Sequence, residues 1–110
     1  MNILVVDDDP VVSTIVNDFL TAHGHKIEVM DSGEKALAKL EGTSQQPDIV
    51  ILDLVMPDMN GIDVLQKIKG QEKTETLPVI MLSANDDTDS LMEKYEFKAD
   101  HYLEKPFSCL

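Results

Sequence analysis

The sequence contains no arginine and no tryptophan. All nine basic residues are lysine, against 21 acidic ones, and the net charge is −12. Duplex nucleic acid is held by Lys and Arg neutralising phosphates, so this balance argues against direct nucleic-acid binding. It argues equally against an anionic membrane surface and favours cations or a partner with a basic patch. Cysteine is represented by Cys109 alone, which excludes an internal disulfide and fits a reducing cytoplasm. Long apolar runs are also missing. Stretches such as Ile49 to Leu52 fall far short of a membrane span, and the opening MNILVVDDD is too short and too acidic for a signal peptide. Three Phe and two Tyr are the only aromatics, so aliphatic side chains must fill the core.

What remains is enough for one domain of 110 residues, 43% of them hydrophobic. Short, largely β-branched apolar runs occur at Ile3–Val6, Ile27–Val29, Ile49–Leu52 and Val79–Leu82, with a fainter one at Tyr102 and Leu103. Such runs lack the in–out alternation of half-exposed strands, as buried parallel strands do. Amphipathic stretches separate them. Val12, Ile15, Val16, Phe19 and Leu20 share one helical face, with Asp9 as N-cap, Pro10 at the first helical position and Gly24 as the stop. Asp31 and Glu34 have capping-box spacing ahead of Ala36, Leu37 and Leu40. Asn60-Gly61 opens a third helix through Ile62, Leu65 and Ile68, and Leu91, Met92 and Tyr95 mark a fourth.

Strand–helix alternation on this scale predicts right-handed βαβ units around a parallel sheet covered on both faces. Ligands of such sheets sit beyond the carboxyl ends of the strands. Those ends are polar here: Asp7-Asp8-Asp9 after the first strand, Asp53 after the third, Ser83 after the fourth and Lys105-Pro106 after the fifth. Carboxylates gathered on one rim repel one another, and a hard dication with oxygen ligands relieves that repulsion. Magnesium fits best, because it takes one or two carboxylates together with waters and phosphate oxygens. A dication, a carboxylate, a lysine and a hydroxyl form a phosphoryl-transfer set. Asp9 reads as a helix cap before a ligand, and His23 and His25, on either side of Gly24, read as solvated loop residues.

The segments ILVVDDDP, PDIVILDLVMPDMNGIDVL, LPVIMLSA and ADHYLEKPF resemble the receiver domains of two-component response regulators, in order and across essentially residues 1–110. The resemblance implies a doubly wound, flavodoxin-like α/β fold with a five-stranded parallel sheet of order 2-1-3-4-5. It implies a phosphoacceptor signalling domain, not a classical enzyme. Asp53 matches the phosphorylated aspartate, which is also a magnesium ligand. Asp8 matches the direct magnesium ligand, Asp7 the acid that holds the ion through water, and the Val55 carbonyl a further ligand. Ser83 matches the switch hydroxyl, Lys105 the phosphate-contacting lysine and Tyr102 the switch aromatic. Met56, Pro57 and Gly61 match the loop after the acceptor. The implied partners are a sensor histidine kinase or phosphotransfer protein upstream and an output domain or effector downstream.

Two other readings are weaker. A phosphohydrolase on a similar fold places a second Asp two residues after the nucleophile, where this chain has Val55. A pseudo-receiver lacks acceptor chemistry, whereas Asp7, Asp8, Asp53, Ser83 and Lys105 are all present here. Three departures from the family pattern stand out. Lys98 replaces a common Gly. Val55 and Asn85 occupy positions that tune the lifetime of the phosphoryl group. Only Ser108, Cys109 and Leu110 follow Phe107, where the family continues into a fifth helix. Without that helix part of one sheet face is expected to stay bare, so that these residues either belong to a longer native chain or associate through that face, as in a homodimer.

Overall fold

The computed structural model describes residues 1–42, 44–54, 60–83 and 98–104. In chain order these form β1 (Asn2–Val6), α1 (Pro10–Ala22), β2 (Lys26–Met30), α2 (Gly33–Gly42), β3 (Ile49–Asp53), α3 (Gly61–Lys69), β4 (Val79–Ser83) and β5 (His101–Glu104). The expected fourth helix, residues 55–59 and the chain from Lys105 onward lie outside the described residues.

All five expected strands are present and pair in parallel in the order β2-β1-β3-β4-β5. The apolar runs of β1 and β3 are buried almost throughout, because each has a strand on both sides and helices over its faces. β2 departs from the buried-strand expectation. It is one edge of the sheet, with Lys26, Glu28 and Val29 exposed, and it carries charges that discourage edge-to-edge pairing.

Local signals set the helix ends. Asp9 caps α1, its carboxylate accepting from Val11 N–H at 2.9 Å, and Pro10 occupies the first turn. The helix stops at Gly24, whose φ of 87° suits a residue without a Cβ. Asn60 caps α3 through Ile62 N–H at 2.8 Å. The cap of α2 lies one residue later than the spacing of Asp31 and Glu34 implies. Ser32 accepts from Lys35 N–H at 3.1 Å, while Asp31 pairs with the Lys35 ammonium at 2.9 Å. With Gly33 as the first helical residue, only Ser32 stands where a cap must be.

Two apolar layers flank the sheet. The larger joins Leu4, Val6, Val50, Leu52 and Met81 to Ala36 and Leu40 of α2 and to Ile62, Val64, Leu65 and Ile68 of α3. The smaller has Ile3, Val5, Ile51 and Leu82 beneath Val12, Val16 and Leu20 of α1. Ile49 and Ile80 on that face are only half-buried, and Phe19 is exposed, its ring 4.5 Å from that of His23.

The turn that leads into β5 is anchored by Lys69 at the end of α3. Its side chain is 10% exposed, and its ammonium donates to Leu77 O and to Asp100 Oδ2, both at 2.7 Å. Asp100 Oδ2 also accepts from Val79 N–H at 2.8 Å. Burial works against the charged form of Asp100, but the Lys69 hydrogen bond, the Val79 N–H and the Lys69 charge outweigh it and hold the carboxyl below its ordinary value. A depressed folded-state value contributes stability above the unfolded pKa and loses it as pH falls through the folded one. Lys69→Met should cost about 1–3 kcal/mol near neutral pH, since Leu77 O loses its donor; the Asp100 share is damped by solvent. Urea titrations should show the wild-type advantage narrowing in acid, as pH falls through the lowered folded-state value of Asp100. An equal gap at both pH values would mean that the ion pair contributes nothing.

Candidate functional site

β1 and β3 are neighbours at the point where the strand order reverses, so their carboxyl ends open on one crevice. Asp53 is the last residue of β3, in register with Leu82 of β4, and is 6% exposed. Asp7 follows β1 and is 2% exposed, and Asp8 beside it is exposed. One carboxylate oxygen from each of Asp7, Asp8 and Asp53 lies within 4.8 Å of the other two. Among the described residues this is the one group of three or more acidic, His or Cys side chains close enough to hold an ion.

Backbone bonds hold the set in place. Asp7 N–H donates to Met30 O at 3.1 Å, and Asp7 Oδ1 accepts from Asp9 N–H at 2.8 Å. Thus the turn that starts α1 also orients the first carboxylate. Leu54 N–H donates to Leu82 O at 2.9 Å, which carries the β3–β4 ladder past Asp53. A buried pair of carboxylates with an exposed third, all presenting oxygen, matches a hard divalent cation and not a soft one. An ion held there would complete its coordination with water or a phosphate oxygen.

The other expected site residues are placed as follows. Ser83 ends β4, in register with Glu104 of β5, so its backbone reaches the same rim. Tyr102 lies on β5, half-buried against the larger core layer, with its hydroxyl accepting from Ala99 N–H at 3.3 Å. Val55, Met56, Pro57, Asn85 and Lys105 lie outside the described residues. Asp9 acts as the expected cap, and His23 and His25 belong to no metal-binding group among the described residues. A cavity of about 340 Å3 lies at the opposite ends of the strands, lined by Asn2, Lys26 and Gln46 among others, away from the acidic cluster.

One element of the site goes beyond the sequence reading. Gly61 N–H donates to Leu54 O at 2.7 Å, and a Cβ on Gly61 would overlap the Asp53 carbonyl oxygen and come within 2.8 Å of Leu54 Cα. Asn-Gly ahead of an apolar helix announces a helix start; nothing in it announces that the helix abuts the end of β3.

No helix among the described residues is long and apolar enough to cross a membrane. Residues 3–109 match the family model described as the response regulator receiver domain. The chain is 37% identical over 108 residues to the probable transcriptional regulatory protein TcrX of Mycobacterium tuberculosis, covering 98% of this chain and 44% of that protein. It is 35% identical to the alkaline phosphatase synthesis transcriptional regulatory protein PhoP of Bacillus subtilis, covering 96% of this chain and 42% of that one. The chain thus spans less than half the length of these curated relatives. Among solved structures, the chemotaxis protein CheY4 of Vibrio cholerae superposes with a TM-score of 0.84 at 28% identity, over 96% of this chain and 87% of that one. The receiver domain of sensor histidine kinase PA1611 from Pseudomonas aeruginosa, which holds a magnesium ion in its active site cleft, superposes with a TM-score of 0.82 at 29% identity, over 96% and 85%. Sheet order, acidic rim and family match agree: the chain belongs to the response regulator receiver family, the phosphoacceptor signalling domains of two-component systems.

Proposed function

We propose that Asp53 is the phosphoryl acceptor and that Asp7, Asp8 and Asp53, with the Val55 carbonyl, hold a magnesium ion at the same place. The observation that carries this reading is the convergence of three carboxylates, the adjacent Asp7 and Asp8 and, more than forty positions on, Asp53, at the strand-order reversal. The phosphoryl donor is a phosphohistidine on a histidine kinase or phosphotransfer protein. An Asp53 carboxylate oxygen attacks phosphorus, the phosphorus–nitrogen bond breaks, and the imidazole nitrogen leaves with the bonding pair. The product is an acyl phosphate. Bound magnesium supplies charge neutralisation to the phosphoryl oxygens. Asp7 and Asp8 orient the acceptor side of the crevice, and the Lys105 ammonium takes up negative charge on the transferred group.

The new dianion then draws the Ser83 hydroxyl and Lys105 toward it. That biases a two-state arrangement in which Tyr102 turns inward. The altered face near β5 passes the signal to an output domain or effector. The chemistry is single-turnover on the protein's own residue, which makes this a signalling domain.

Incubation with acetyl phosphate and magnesium, followed by intact-mass measurement, tests the reading. One phosphoryl adduct should form with magnesium and fall to background with a chelator. An adduct that forms equally fast in chelator would exclude the role of the acidic cluster.

A further inference from the structure

We infer that Gly61 is a positioning residue for the acceptor: α3 packs its first residue directly against the end of β3, and only a residue without a side chain lets Asp53 keep its place. The inference rests on the acceptor role of Asp53 proposed above.

Glycine is not needed at position 61 for backbone freedom, since Gly24 is the one described glycine with positive φ. It is needed for space. A Cβ there would meet the Asp53 carbonyl oxygen, Leu54 Cα and Leu54 O, which are all backbone atoms. Backbone cannot swing aside as the tip of a flexible side chain can, so either β3 or α3 must move. Neither is loose. The end of β3 is held by the Asp53–Leu82 register and by Leu54 N–H to Leu82 O. The start of α3 is held by the Asn60 cap and by the buried side chains of Ile62, Val64 and Leu65. The strain therefore falls on the atoms the Cβ would meet, the Asp53 carbonyl and the Leu54 backbone. Gly61 N–H to Leu54 O, at 2.7 Å, marks how closely the two elements are drawn together.

Phosphoryl transfer depends on in-line placement of the attacking oxygen, and a shift near 1 Å can cost about a hundredfold in rate. Gly61→Ala should therefore slow phosphorylation by acetyl phosphate by about ten- to a hundredfold, and it should weaken magnesium binding because Asp53 is one wall of the cluster. Ile68→Ala serves as the control. It removes buried packing from the far end of the same helix without touching the acceptor.

The experiment measures the rate of adduct formation and the magnesium dissociation constant for wild type, Gly61→Ala, Asn60→Ala and Ile68→Ala, well below each melting temperature. Asn60→Ala frees the first turn of α3 without a clash, so it still reports should Gly61→Ala fail to fold. The expected result is slowed transfer and weakened magnesium in both first-turn variants, with Ile68→Ala close to wild type in both readouts despite its lower melt. Equal rates and affinities in all four proteins, or losses that simply track melting temperature, would overturn the inference. If the wild type binds magnesium but takes no phosphoryl group, the acceptor reading fails, and the affinity comparison alone decides the role of Gly61.

Discussion

Asp53→Asn will leave the protein without a phosphoryl adduct after incubation with acetyl phosphate and magnesium. The substitution is nearly isosteric, so the buried end of β3 and its pairing with Leu82 should be unchanged. What it removes is the nucleophile, since a neutral amide does not attack phosphorus at useful rates. The nearby carboxylates are poor substitutes. Asp7 is buried, and one of its oxygens is taken by the Asp9 N–H. Asp8 is exposed, so the rigid surroundings that position an acceptor are missing. Relief of like-charge repulsion should leave the variant at least as stable as the wild type in magnesium-free buffer. The measurement is intact mass with peptide mapping of any adduct. Phosphorylation of Asp53→Asn at the wild-type rate would show that the acceptor lies elsewhere.

Magnesium alone should stabilise the unphosphorylated protein substantially. An ion that binds only the folded state adds about 2.7 kcal/mol when present at about 100 times its dissociation constant. For a domain of this size that corresponds to a rise in Tm on the order of 10 °C. The net charge of −12 requires a control, because any salt screens self-repulsion and raises Tm to some extent. Thermal melts should therefore be compared at matched ionic strength, with sodium replacing magnesium. Asp8→Ala is the informative variant. Asp8 is exposed, so its loss removes a ligand without opening a cavity in the core, and the magnesium-specific rise should largely disappear. A Tm that responds equally to sodium and magnesium would mean that the three carboxylates do not form an ion site.

Much of this protein is readable along the chain because its elements are defined by neighbours in sequence. The five apolar runs became the five strands, and Asp9, Pro10, Gly24 and Asn60 set helix ends through bonds that span only a few residues. Before α2 the spacing of Asp31 and Glu34 pointed to the wrong cap, and Ser32 takes that place, because only the residue directly before the first helical position can cap it.

The acidic rim was legible for the same reason that strands are. A polar residue directly after an apolar run must emerge at the strand's carboxyl end, so Asp7, Asp8, Asp53 and Ser83 could be assigned to one rim before any coordinates. That β2 is an exposed edge, that Lys69 is buried on Asp100 and Leu77, and that a side chain at Gly61 would strike the Asp53 carbonyl all depend on which elements meet in space. Composition and periodicity register which face of an element is apolar, but not which backbone that face is pressed against. The sequence by itself determined the strands, the caps and the acidic rim; the tertiary structure decided the approach of α3 to β3, because steric exclusion acts between atoms that only folding brings together.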